Sequence, residues 1–143
     1  MAAGPALLAT RAWADTPPSM VVFRDPTCGC CHHWVEHLTA NGFAVTVHDA
    51  PDMKPVKVRF GVPAELSSCH TGEIAGYIIE GHVPAAAIKR LLAAKPAGRG
   101  LAVPGMPIGS PGMEGGEPEI YEVMLFGAGV PQSFGHFRED KPV

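Results

Sequence analysis

Two hydrophobic periods alternate along this chain. Val21, Val22 and Phe23 run without a break in SMVVFRD (19–25) and stop at Pro26, the pattern of a short buried strand. From Cys30 to Asn41 the apolar positions Cys31, Trp34, Val35 and Leu38 fall at i, i+3, i+4 and i+7, which predicts a helix closed by Gly42. Phe43 to His48 alternates with period two and reads as a second strand, and Pro51 to Phe60 as a weaker helix ending at Gly61. Val62 to Gly72 reads as a loop or short turn carrying Cys69, and Ile74 to Glu80 as a third strand. Pro84 opens a helix through Ala85, Ile88, Leu91 and Leu92, with proline at the first turn where it is tolerated. Gly98 to Pro118 is a long Gly/Pro-rich connection, of the kind that is functional or disordered in a small domain. Ile120 to Phe126 returns as a strand, and Gln132 to Phe137 as a short edge strand.

Strands alternating with helices predict an α/β fold: one thioredoxin-like domain over residues 20–143, with a central mixed sheet flanked by helices. The segment DPTCGCCHH (25–33) lies between the first strand and the first helix, where a thioredoxin-like fold carries its active cysteines. Thiols at a helix N-terminus feel the positive end of the helix dipole, which favours thiolate and hence exchange chemistry or metal ligation.

Composition narrows the partners. At 143 residues and 46% hydrophobic content the chain can bury one core. A net charge of −3, with 11 basic against 14 acidic residues and no run of either sign, excludes a phosphate-backbone or anionic-lipid footprint, so nucleic acid is not an expected partner. Residues 1–19 read as a signal-peptide remnant or disordered lead: a short apolar run precedes Ala12-Trp13-Ala14, with cleavage expected before Asp15, although the basic start and full apolar stretch of a signal are only partly visible. Export to the periplasm is the expected destination. No later segment approaches the roughly 18 to 20 apolar residues of a membrane span.

The cysteines leave three readings open. As a disulfide framework they are inefficient, because adjacent Cα atoms lie about 3.8 Å apart, below the roughly 4.4 Å lower limit of ordinary bridges, which makes Cys30 and Cys31 poor partners. As a thiol–disulfide oxidoreductase the chain offers Cys28 and Cys31 at C-x-x-C spacing. A third thiol beside that pair, and Ser68-Cys69-His70-Thr71 where such enzymes place a proline, weigh against it; Pro63 is the nearest candidate. As a metal site, a thioredoxin-like topology would bring Cys69 against the first helix, completing four thiolates with Cys28, Cys30 and Cys31. Soft thiolates select Cu(I) or Zn. A single structural zinc usually takes two separated cysteine pairs, whereas a dense triplet suits sulfurs bridging several Cu(I) ions.

Histidines extend the donor set. His33 and His37 lie four apart on the helix, on the side of Cys30, and His70 follows Cys69; each is a candidate ligand or a partner of one. His32 and His33 read equally well as solvated first-turn residues, and His48, His82 and His136 as surface or core histidines. Met106 and Met113 sit in the Gly/Pro-rich loop, where a thioether is either a soft Cu(I) ligand or a cap over the sheet.

These positions together resemble one known family: Cys28-Gly-Cys-Cys31 with Trp34 and His37-Leu38, Gly61-Val-Pro63, Ser68-Cys-His-Thr71, Gly76-Tyr77, Glu80-Gly-His-Val-Pro84, and Gly100-Leu-Ala-Val-Pro-Gly-Met-Pro107 through Gly109-Ser-Pro-Gly-Met113. Over residues 20 to 126 the chain is similar to the CopG-type copper-resistance proteins. The resemblance implies a periplasmic thioredoxin-like protein, acting beside other copper-handling proteins, that holds a multi-copper thiolate cluster on Cys28, Cys30, Cys31 and Cys69 and interconverts Cu(I) and Cu(II). It does not extend to His32 and His33, where relatives carry other residues.

Overall fold

The computed structural model describes residues 16–143; the Ala12-Trp13-Ala14 pattern and most of the expected lead lie outside them. The helices are α1 (Gly29–Ala40), α2 (Lys54–Phe60) and α3 (Ala85–Ala94), with a 3₁₀ turn at Ala64–Leu66. The strands are β1 (Ser19–Arg24), β2 (Ala44–Asp49), β3 (His70–Ile74), β4 (Tyr77–Glu80), β5 (Gly100–Ala102), β6 (Ile120–Phe126), β7 (Gln132–Arg138) and β8 (Lys141–Pro142). They form one eight-stranded sheet in the order β2-β1-β3-β4-β5-β6-β7-β8. The sheet is mixed, as expected: β1 and β2 pair in parallel, as do β4 and β5, and the remaining neighbours are antiparallel.

Both faces are covered. Trp34 and Leu38 of α1 and Ile88 and Leu91 of α3 pack with Ile79 and Leu101 on one side. Phe60 of α2, with Leu66, packs against Ile78, Ala102 and Phe126 on the other. Ile78 and Ile79 are adjacent on β4 and serve opposite faces, which is why this strand reads as continuous apolar sequence.

The structure departs from the sequence pattern in four places. The expected third strand, Ile74 to Glu80, is not one strand: it holds the last residue of β3, a turn at Ala75 (φ 49) and Gly76 (φ 82), and β4, in a hairpin that begins at His70 inside the expected loop. Two positive φ values are those of a two-residue type I′ turn, usually announced by Asn-Gly or Asp-Gly; Ala-Gly gives no such signal and the apolar run passes through it. The Gly/Pro-rich connection contains β5, whose first residue, Gly100, has no room for a side chain because a Cβ there would lie 1.8 Å from the carbonyl oxygen of its neighbour Ile78 on β4. β7 is not an edge, since β8 pairs outside it. Finally, α2 starts at Lys54 rather than Pro51, its first amide held by the Asp52 side chain at 3.1 Å.

Candidate metal centre

Strand direction assembles the site. β1 and β3 are antiparallel with Arg24 opposite His70, so the loop leaving β1 toward Cys28 meets the segment entering β3 from Cys69. Cys28 is the residue before α1, with its backbone N–H on the Asp25 carbonyl at 3.0 Å, and Cys30 and Cys31 occupy the first turn. Cys31 is fully buried beneath them. One ligand atom from each of Cys28, Cys30, Cys31 and Cys69 lies within 4.8 Å of all the others. The Cys28 and Cys30 sulfurs are 3.1 Å apart and those of Cys30 and Cys69 3.9 Å.

The hairpin adds a second group. Thr71 pairs with Glu80, and the Gly81 N–H reaches the His70 carbonyl at 3.1 Å, so the register runs on past the strands and sets His82 across from Cys69. Cys69 Sγ is 3.3 Å from His70 Nδ1 and 3.1 Å from His82 Nε2. Both imidazoles are fully buried, and their remaining nitrogens, His70 Nε2 and His82 Nδ1, have no hydrogen-bond partner. Trp34 floors the group: its ring centroid lies 4.1 Å from that of His70, and its Nε1 donates to the Val83 carbonyl at 2.9 Å. Gly81 has φ +74 and a Cβ there would come 2.5 Å from the Val103 carbonyl oxygen and 2.8 Å from Ser68 Cβ, so the turn carrying His82 accepts only glycine without rearrangement.

A buried carboxylate holds the Cys69 segment. Glu80 accepts from the Ser68 backbone N–H at 2.7 Å and from the Thr71 hydroxyl at 2.5 Å, and pairs with Lys57 Nζ at 2.6 Å. Above the site, Ser68 Oγ donates to the Gly105 carbonyl at 2.6 Å and fastens the loop whose Met106 sulfur lies 3.8 Å from Cys30 Sγ.

The electrostatics favour the thiolate at Cys69 over Cys30 and Cys31. Cys69 is held far below an ordinary thiol, chiefly by hydrogen bonding from Cys31 and then from His70 and His82, against the opposing effect of burial. Cys30 is pushed up to about 12, by burial first and then by Cys28 and the Cys69 charge. Cys31 is raised as well, because it donates to Cys69 and is buried. Metal binding at Cys30 and Cys31 therefore has to release protons.

The other sequence candidates lie elsewhere. His37 Nε2 accepts the Ala85 N–H at 3.0 Å and so serves the start of α3, while His33 is exposed and bonded to Glu36 at 3.0 Å. Their shared helix side with Cys30 does not bring either ring to the cysteines, because α1 turns His33 outward and His37 toward α3. Met113 closes a turn through its backbone with Gly109 and Ser110, and makes no sulfur contact with the four cysteines among the described residues. His82 is the site residue that sequence reasoning missed; its one available signal was Glu80-Gly-His-Val-Pro84, whose meaning depends on the hairpin register.

The family described as a protein of unknown function, DUF411, matches residues 66–113. Two solved structures, forms 1 and 2 of a copper resistance protein CopG, are each 48% identical to this chain and cover 85% of it. The chain covers 98% and 99% of theirs, with TM-scores of 0.79 and 0.80. No curated protein matches.

Proposed function

The chain belongs to the CopG family of copper-resistance proteins, and we propose on that footing that it binds Cu(I) in a multi-copper thiolate cluster. The observation that carries this is the meeting of four thiols from two separate elements, with Cys69 also shared by two buried imidazoles. Copper is the cargo. The donor chemistry fits it: four thiols, a thioether and two imidazoles form a soft set, and the buried nitrogens of His70 and His82 already face a sulfur with low proton affinity. Cys28, Cys30, Cys31 and Cys69 are the proposed ligands, His70, His82 and Met106 the proposed additional donors. Cycling between Cu(I) and Cu(II) is a one-electron change per ion, and a sulfur-rich surround favours the reduced form.

The thioredoxin-like reading is supported by the order β2-β1-β3-β4, with β3 antiparallel to its neighbours and the cysteines at the N-terminus of α1. Thiol–disulfide exchange through Cys28 and Cys31 fits less well, since Cys31 is buried and strongly favours its thiol form. A structural zinc would use the four thiols and leave His82 and Met106 without a role. A periplasmic location, beside other copper-handling proteins, rests on the partial export signal and on the family.

The test is an anaerobic Cu(I) titration of the wild type against Cys69→Ser. Several thiolate-bound Cu(I) ions per chain, reduced in the variant, are expected. Tight uptake of one zinc per chain, or no uptake of copper, would overturn the reading.

A further inference from the structure

The four thiols of the site are not equivalent toward one another. Cys28 Sγ and Cys30 Sγ lie 3.1 Å apart, against 3.9 Å from Cys30 to Cys69 and 3.8 Å from Cys30 to the Met106 thioether. The first separation is within about 1 Å of a disulfide bond, which is roughly 2.05 Å long. Both side chains are half-buried, so an ion arriving from solvent can reach either sulfur.

The backbone between them can close that gap. Cys28 precedes α1 in an extended conformation (φ −83, ψ 100), and Cys30 lies in the first turn. Gly29, which separates them, is exposed, and no heavy atom lies within 4 Å of the place a Cβ would take. The first N–H groups of a helix have no carbonyl partner within it, so this turn can tighten without breaking a helical hydrogen bond. A spacing of two residues also escapes the limit that keeps the adjacent Cys30 and Cys31 from bridging.

The other two thiols are engaged elsewhere. Cys31 is fully buried. Cys69 Sγ already meets His70 Nδ1 at 3.3 Å and His82 Nε2 at 3.1 Å. Joining Cys28 to Cys30 therefore leaves Cys31, Cys69 and the two imidazoles in place as donors.

We propose that Cys28 and Cys30 are a redox pair that reduces Cu(II) and becomes a disulfide in doing so. Two Cu(II) ions each accept one electron and become Cu(I); one S–S bond forms between the two Sγ atoms, and the two thiol protons leave to solvent. The Cu(I) so formed arises beside the remaining soft donors, which favour that oxidation state. The choice of Cu(II) as oxidant rests on the proposed function, whereas the choice of the pair rests on the sulfur contact. The electrons thus come from the C-x-C pair and not from the C-x-x-C pair, Cys28 and Cys31. Reduction is stoichiometric: a second round needs an external thiol to restore the pair.

The probe is Cu(II), added without air at two equivalents to the fully reduced, metal-free full chain. The Cu(II) signal in electron paramagnetic resonance should vanish as two thiols per chain are lost. Free thiols are then blocked with one alkylating reagent, the disulfide is reduced, and its sulfurs are labelled with a second. Peptide fragmentation should place the second label on Cys28 and Cys30 and the first on Cys31 and Cys69. Cys28→Ser and Cys30→Ser should each lose the rapid loss of signal, with native circular dichroism. A second label on Cys31, a disulfide between chains, or a persistent Cu(II) signal with all four thiols intact would overturn the proposal. Any of these with several Cu(I) still taken up by the reduced chain would leave the cluster standing. Conversely, reduction by Cys28 and Cys30 in a chain that takes up no Cu(I) would overturn the cluster and retain the redox pair.

Discussion

Cys69 Sγ lies 3.1 Å from His82 Nε2, across a hairpin that separates the two residues by thirteen positions. Neither residue belongs to a regular strand, yet the Thr71–Glu80 register extends to both of them. A ring of similar shape without nitrogens should keep the packing and lose the contact. In His82→Phe we expect Cu(I) affinity to drop by about ten- to a hundredfold, read by competition with a Cu(I)-specific chelator, with native circular dichroism. An unchanged affinity would remove His82 from the site.

Glu80 is a buried charge whose partners include the Cys69 segment. Glu80→Gln leaves Lys57 without its counter-ion and weakens the hold on the Ser68 N–H. Removal of one member of a buried pair is expected to destabilise the domain by about 3 kcal/mol, measured by urea unfolding. Adding Lys57→Met should restore part of that loss, since the uncompensated cation is then gone.

The two loop methionines separate cleanly. Met106 has its sulfur 3.8 Å from Cys30 Sγ, whereas Met113 is engaged through its backbone. Met106→Leu should weaken or displace Cu(I) at Cys30, visible as a loss of one sulfur neighbour in X-ray absorption. Met113→Leu should leave the same spectrum unaltered.

His37 gives the fold a dependence on pH. Burial lowers its pKa from the ordinary 6.5, with Lys89 acting in the same direction and Asp140 and Glu114 against it. The unfolded chain therefore takes up the proton first. The associated stability is fully present above about pH 6.5 and is lost as pH falls toward the lower folded value. Protonation also removes the Nε2 acceptor from the Ala85 N–H. The melting temperature should fall between pH 7 and 5, and His37→Gln should flatten part of that slope.

Long periodic segments were legible in the sequence. β1, α1, α3 and β6 each carry a run that fits one period, and their observed limits differ from the expected ones by a residue or so. The short elements were not. The β3–β4 turn uses Ala75-Gly76 inside an apolar run, and β5 has three residues, one of them Gly100, within a stretch dominated by glycine and proline. That gap had a direct cost at the site. Cys69 could be brought to the triplet by topology, but His82 could be placed only once the hairpin register was known. His33 and His37 failed in the opposite sense: helical spacing put them near Cys30, and the packing of α3 and the pull of Glu36 took them away.

Cys69 is a member of both donor groups, the four thiols and the Cys-His-His set. One sulfur cannot be filled from one side without altering its charge toward the other. The two groups are thus thermodynamically linked, and the linkage is reciprocal: whatever an ion among the cysteines does to binding at the imidazoles, an ion at the imidazoles does in equal measure to binding among the cysteines. A copper titration of this protein will consequently not follow independent sites, and the curvature of its isotherm measures the coupling that a single shared atom imposes.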